Sequence, residues 1–180
     1  MYISLVALKS TDCYEQHQAI WSLFPDTPER KRDHLFRIES HKKGQVVALL
    51  QSSTEPKSSI QSEVIQSKPF NLKLSEGDYY KFKLVANPTK RLSKERNVIE
   101  IKDEADQVQW LQRKLEGANV TVTAMESTLV DSRKSFKARF VTFEGVLQIT
   151  DADKIYRAVV MGIGRKKHAG AGLLSLARTG

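Results

Sequence analysis

The order in which hydrophobic periodicities follow one another limits the fold of this chain more than any single residue does. A strand-like run at Tyr2–Leu8 leads into a helix that Asp12 can cap, with Glu15 completing a capping box and Pro25 and Pro28 ending the helix. Apolar runs at 34–39 and 46–51 predict two strands; a Ser-rich stretch then predicts one weak helical turn, and 63–74 predicts a fourth strand. The same order then returns. Tyr80, Phe82, Leu84 and Ala86 alternate with Lys81, Lys83 and Val85, and a basic linker, NPTKRLSKERN, follows. A helix is expected over 103–116, with Ala105, Val108, Leu111 and Leu115 on one face and Gly117 as its C-terminal cap. Strands are expected at 120–125 and 138–150, where Val141, Phe143, Leu147 and Ile149 share a face. Asp151 can cap a helix running through Met161, and LLSLA at 173–177 reads as a last strand.

Two tandem βαββαβ units predict an α+β chain of two ferredoxin-like domains, 1–76 and 77–180, an arrangement that many RNA-binding modules also use. The halves share no residue-level repeat, so the duplication is one of architecture. A length of 180 residues suits two small domains, and 40% apolar with 28% charged residues is the composition of a folded protein. The 29 Lys and Arg against 21 Asp and Glu leave a net charge of +8, which points to a polyanionic partner. The opening MYISLVALKS lacks the basic lead and long apolar run of a signal peptide, and no stretch approaches the roughly 20 apolar residues of a membrane span. Cytoplasmic residence is therefore expected. A single cysteine, Cys13, excludes an intramolecular disulfide framework and a cysteine zinc site.

Three segments could carry chemistry. GIGRKKHAGAG holds Gly162, Gly164, Gly170 and Gly172 around Arg165, Lys166 and Lys167. Glycines at this density let backbone N–H groups approach an anion while the cations supply charge, although a flexible loop with a solvated basic tip has the same composition. The segment lacks the final Gly-Lys-Ser/Thr of a P-loop and follows a helix, so it is not a nucleotide fingerprint. On the first helix, Tyr14 and His17 are neighbours three residues apart. Ile20, Trp21 and Phe24 continue that stripe, which by itself fits a buried edge; with a basic loop nearby, the pair would suit RNA cleavage by its own 2′-hydroxyl. In DSRKSFKAR, the cations Arg133, Lys134, Lys137 and Arg139 surround Phe136 on an expected hairpin, a pattern suited to phosphate contacts with occasional stacking. Lys90, Arg91, Lys94 and Arg96 in the linker form a weaker version. Asp12, Asp103 and Asp151 sit where helix capping explains them, and no Asp/Glu/His set has the look of a two-metal nuclease site. Neither a metal nor a cofactor is expected, and His34 and His41 receive no role.

These segments together resemble the CasE-type CRISPR-associated endoribonucleases, the RNA-processing subunits of type I-E Cascade complexes. The resemblance runs nearly end to end: MYISLVAL, YEQHQAIWSLFP, VVALLQSSTEP, KFKLVANPTKR, QVQWLQRKLEG, VTFEGVLQITD and GIGRKKHAGAGLLSLA occur in the family's order. It implies two ferredoxin-like domains and cleavage of precursor CRISPR RNA beside the base of its repeat hairpin, leaving a cyclic phosphate. It also implies an enzyme that stays with the hairpin as part of Cascade and needs no metal. Tyr14 and His17 match the family's active-site Tyr and His, and Lys167 matches the lysine of its Gly-rich loop; His168 has no counterpart. Ala171 stands where relatives usually carry Cys, and Arg165 where Pro is common. The competing reading is a non-catalytic RRM-like RNA-binding protein, whose strand signature FKARFVTF approaches without its glycines. A DNA-binding regulator would need a helix-turn-helix or zinc module that the sequence lacks.

Overall fold

A computed structural model describes residues 1–42, 44–92, 97–132 and 136–179. The chain divides into two compact units. The first comprises Met1–Asn71, Asp131–Phe136 and His168–Gly170; the second comprises Leu72–Val130, Lys137–Lys167 and Ala171–Gly180.

In the first unit, β1 (Tyr2–Leu8), α1 (Cys13–Trp21), β2 (His34–Lys42), β3 (Gln45–Ser52) and β4 (Ser62–Pro69) build an antiparallel sheet in the order β2-β3-β1-β4. Alternation along the strands puts Val6, Leu8, Phe36, Val46, Ala48 and Leu50 together with Ala19, Ile20, Leu23 and Phe24 in one core. The weak helix expected in the Ser-rich segment does not form. Serine hydroxyls there bond the backbone locally instead: Ser59 Oγ accepts from the Gln61 and Ser62 N–H groups, and Ser58 Oγ from Val64 N–H. The capping box is also absent. Asp12 caps α1 as expected, but the Glu15 carboxylate accepts from the Ser10 hydroxyl rather than from the Asp12 backbone.

The second unit repeats the topology. Strands β5 (Tyr79–Ala86), β8 (Ala118–Ser132), β9 (Phe136–Ile149) and β10 (Leu174–Arg178) pair in the order β10-β5-β9-β8, with α2 (Glu104–Lys114) and α3 (Ala152–Met161) as its helices. Both sheets thus have the strand order of a ferredoxin-like domain, and the α+β class with two such domains is observed. Part of the basic linker folds into a small hairpin, β6 (Thr89–Arg91) with β7 (Val98–Glu100). The buried face of α2 is not the expected one: Gln107, Trp110, Leu111 and Leu115 are buried, Ala105 is exposed and Val108 half-buried. Trp110 stacks on Phe143, and that large contact turns the helix. Gly117 does not take a left-handed cap conformation. It is small because α3 begins against it: a Cβ there would lie 2.7 Å from Asp151 O and 2.8 Å from Lys154 Cβ, and the Gly117 carbonyl accepts from Thr150 and Asp151 N–H.

Gly145, opposite Phe82 in the β5–β9 register, marks the tightest approach in this sheet, since a Cβ would sit 2.0 Å from Thr121 O and 2.9 Å from Phe82 Cε1. Gly145→Ala should lower the unfolding free energy by about 1–3 kcal/mol, the usual cost of overpacking. Urea denaturation would measure it, and an unchanged midpoint would contradict the close approach.

Candidate active site and nucleic-acid interface

Helix α1 is short, and its cap fixes which way each side chain points. Asp12 Oδ2 accepts from Tyr14 N–H at 3.1 Å and Glu15 N–H at 3.2 Å, while Cys13, Gln16, Ala19 and Ile20 are buried. Tyr14 is 40% exposed and its hydroxyl accepts from Gln18 Nε2 at 3.0 Å. The Tyr14–His17 pair is therefore not part of the buried stripe that Ile20 and Phe24 continue. His17 is half-buried, with its ring edge-on to Trp21 at 6.2 Å and to His168 at 6.0 Å. The His168 ring also meets Phe136 at 5.6 Å, so a second histidine lies next to His17. Burial pushes the His17 pKa down, the Arg32 charge pushes it further, and a hydrogen bond to the His168 backbone partly offsets both. Neutral imidazole is consequently the resting form at neutral pH.

Beneath this pair lies a cluster that sequence reasoning missed. His34 is buried, stacked on Phe24 at 5.2 Å and edge-on to Trp21 at 5.1 Å. The Arg30 guanidinium lies 4.3 Å from the Phe24 centroid and 4.9 Å from that of Trp21, and it pairs with Asp33. Burial, then Arg32 and Arg30, lower the His34 pKa to about 3. A cavity of about 590 Å³ opens here, lined by His17, Gln18, Trp21, Ser22, Phe24, Pro25, Asp26, Thr27 and Arg30. Nothing in the local spacing of these residues announced the cluster, because His34 starts a strand whose register only the sheet sets.

In the second unit, the Gly-rich segment is a shaped loop rather than a flexible one. Gly162, Gly164 and Gly172 have φ of 80°, 79° and 97°, and Lys166 takes a left-handed φ of 62°. Ile163 N–H donates to Gly172 O at 2.9 Å, and Gly172 N–H to Val85 O at 2.8 Å. A cavity of about 510 Å³ lies beside it, and its lining includes Trp110, Lys114, Lys154, Arg157, Arg165 and Lys167 but, among the described residues, no carboxylate. Lys154 pairs with Glu116 at 3.4 Å. Lys114, Lys154 and Arg157 escaped the sequence reading because they belong to helices rather than to a charge run. The i, i+3 spacing of Lys154 and Arg157 immediately before the glycines was the available signal. Gly170, with φ of 90°, belongs to the first unit, where a Cβ would approach Phe36 Cε2 to 3.1 Å. Ala171 is fully buried.

Comparison with known proteins gives this geometry a relationship. A family described as CRISPR associated protein matches residues 4–178. The Cascade subunit CasE of Escherichia coli K12 is 37% identical over 98% of this chain and 99% of its own length. The chain belongs to the CasE/Cse3 family of CRISPR-associated proteins. The endoribonuclease Cse3 of Thermus thermophilus is 30% identical over 91% of this chain and 89% of its own. A solved structure of CRISPR endoribonuclease Cse3 bound to a 19 nt RNA superposes with a TM-score of 0.85, at 28% identity and 98% coverage of both chains.

In this CasE/Cse3-family chain the remaining basic positions differ in setting. Lys90 and Arg91 are exposed on β6 and Lys137 is exposed on β9. Arg139 is half-buried: its N–H donates to Glu100 Oε2 at 2.7 Å, its carbonyl accepts from Asn87 Nδ2 at 2.9 Å, and its Nε is covered from solvent. Arg133, Lys134, Lys94 and Arg96 lie outside the described residues. Among the described residues, no His, Cys, Asp and Glu side chains form a group of three that could hold a metal, and no helix is long and apolar enough to cross a membrane.

His34 gives this family member an acid-sensitive core. Its folded pKa of about 3 lies below the ordinary imidazole value, so between about pH 6.5 and 3 the unfolded chain binds the extra proton. Stability from this group is complete above pH 6.5 and is lost as pH falls, by up to about 1.4 kcal/mol per pH unit. Arg30 and Arg32 strengthen the effect; Asp33 opposes it. His34→Phe should therefore show a smaller loss of denaturation midpoint between pH 7 and pH 5 than the wild type, and parallel slopes would contradict the assignment.

Proposed function

We propose that this chain is an endoribonuclease that binds the repeat hairpin of precursor CRISPR RNA, cuts it by 2′-hydroxyl attack to release guide RNA, and remains bound as part of Cascade in the cytoplasm. The observation that carries the reading is a neutral, half-buried imidazole, His17, beside the exposed hydroxyl of Tyr14 on a capped helix. The likeness to Cse3 bound to RNA and to the Cascade subunit CasE supports both substrate and assembly.

His17 serves as general acid or base; as base, its neutral imidazole takes the proton of the 2′-hydroxyl. The 2′-oxygen then bonds to the adjacent phosphorus as the phosphorus to 5′-oxygen bond breaks; the 5′-oxygen leaves as a hydroxyl with a proton given by the imidazolium so formed, by Tyr14 or by water, and the other product carries a 2′,3′-cyclic phosphate. Tyr14 orients the reacting groups or shares the proton transfer. Holding the ribose in line supplies much of the acceleration, because the nucleophile is already part of the substrate. Lys167 neutralises charge growing on the phosphate. Arg165, Lys166 and the glycines Gly162, Gly164, Gly170 and Gly172 guide the backbone. Arg133, Lys134, Lys137, Arg139, Lys90 and Arg91, together with Lys114, Lys154 and Arg157, neutralise stem phosphates. No step calls on a metal or cofactor. An RRM-like binding mode is disfavoured because Phe140 and Phe143 of FKARFVTF are buried and cannot stack on bases.

His17→Ala should lose most cleavage of a repeat hairpin while keeping near-normal affinity, and a chelator should leave the wild type active. A 2′-deoxy nucleotide just upstream of the cut should abolish cleavage. Cleavage of that deoxy substrate would remove the mechanism.

Charge in the two kinds of site separates as well. Lys154→Gln with Arg157→Gln should weaken hairpin binding and flatten its salt dependence, by about 0.7–0.9 units of slope for each phosphate no longer neutralised. Lys167→Ala should instead slow the cut more than it weakens binding. Unchanged affinity in the double variant would take the α3 cations out of the interface.

A further inference from the structure

The cavity beside His17 has a chemistry unlike that of the basic cavity by the Gly-rich loop. Its walls are Trp21, Phe24 and Pro25, with polar groups from Gln18, Ser22 and Thr27, and its charged members besides His17 are Asp26 and Arg30. Arg30 is already paired with Asp33, so among the described lining residues no unpaired cation is left for a bare phosphate, and the Asp26 carboxylate would repel one. The aromatic rings and the guanidinium form one platform, with Arg30 Cζ within 4.9 Å of both ring centroids. Two N–H donors on that platform, Trp21 Nε1 and Arg30 Nη1, have no acceptor among the described residues. Buried donors without partners are costly, which makes them pointers to an acceptor supplied from outside. The volume, about 590 Å³, lies in the range of roughly 300–1,000 Å³ typical of small-ligand sites.

A ligand for this place must be flat, must offer acceptors to Trp21 and Arg30, and must offer a donor to Asp26. We propose that the cavity takes one unpaired nucleobase of the RNA strand next to the cut, stacked on the Trp21–Phe24–Arg30 platform and read on its polar edge by Asp26. Ring carbonyls and ring nitrogens satisfy the two orphan donors, and a ring or exocyclic N–H meets the carboxylate; unpaired RNA is recognised by this combination of stacking and edge contacts. Both orphan atoms are covered from solvent, so entry of the base requires Arg30 to shift along its aromatic platform. Because His17 lines the same cavity, seating the base sets the ribose and phosphate of that nucleotide against the imidazole. This inference rests on the reading that the chain cuts RNA beside a hairpin, and it adds sequence selectivity at the unpaired flank.

The test uses the full chain and a hairpin RNA made uncleavable by a 2′-deoxy nucleotide at the cut. 2-Aminopurine is placed in turn at the unpaired positions flanking the cut. One position should lose fluorescence on binding through stacking, and an abasic residue there should weaken binding about tenfold, the scale of one base stack. Trp21→Leu should remove the quenching. Asp26→Asn, an exposed change that leaves the platform intact, should keep the quenching but reduce the affinity differences among the four bases at that position. If the wild type cuts the unmodified hairpin yet no flanking position is quenched or sensitive to base removal, the pocket assignment falls and the endoribonuclease reading stands. If one position is quenched and base-dependent but the unmodified hairpin is not cut, the pocket stands and the cleavage reading falls.

Discussion

Burial of one face of a nine-residue helix governs the first unit. Ala19 and Ile20 pack with Leu23, Phe24 and the sheet residues Val6, Phe36, Ala48 and Leu50, and the Asp12 side chain satisfies the N–H groups that would otherwise fray the first turn. With that face committed to the core, the 3.6-residue period leaves Tyr14 on the exposed side and His17 at the edge of the buried face. The chemistry is thus placed by packing that contains no chemistry. A helix this short would be marginal alone, so its site exists only as long as the sheet does.

Immediately beyond α1, the cluster of Trp21, Phe24, Arg30 and His34 extends that dependence into electrostatics. It buries a histidine in neutral form and brings Arg30 and Arg32 close enough to disfavour its protonation. His17, nearer the surface, is shifted in the same direction by the same two causes, burial and the Arg32 charge. One positively charged, aromatic environment therefore maintains a structural imidazole and a candidate base in the same protonation state, for related reasons.

The second unit solves a different problem, shaping the connection that returns the chain from α3 into β10. Glycines at 162, 164 and 172 accept left-handed backbone angles, and bonds from Ile163 to Gly172 and from Gly172 to Val85 hold the turn. Gly164 also lets Trp110 lie close, since a Cβ would be 3.1 Å from its ring. The cations between and before these glycines then line a cavity whose wall, among the described residues, holds no carboxylate. Shape comes from residues without side chains; charge comes from their neighbours.

The sequence by itself determined the order of the four main strands of each sheet and of the helices α1, α2 and α3, Asp12, Asp103 and Asp151 as caps, and Tyr14 and His17 as adjacent residues on one helix. These are local properties, set by spacing along the chain and by backbone hydrogen bonding within a few residues. Tertiary structure decided the rest. The face of α2 turned toward Trp110 because stacking on Phe143 outweighed the simpler apolar count, and Gly117 proved to be a point of close packing rather than a cap. His34 acquired its buried place from sheet register, His168 its place beside His17 from the fold of a loop some 150 residues away, and Lys114, Lys154 and Arg157 a common cavity from the docking of two helices. Each depends on contacts between residues far apart in sequence, whose distances no local period encodes.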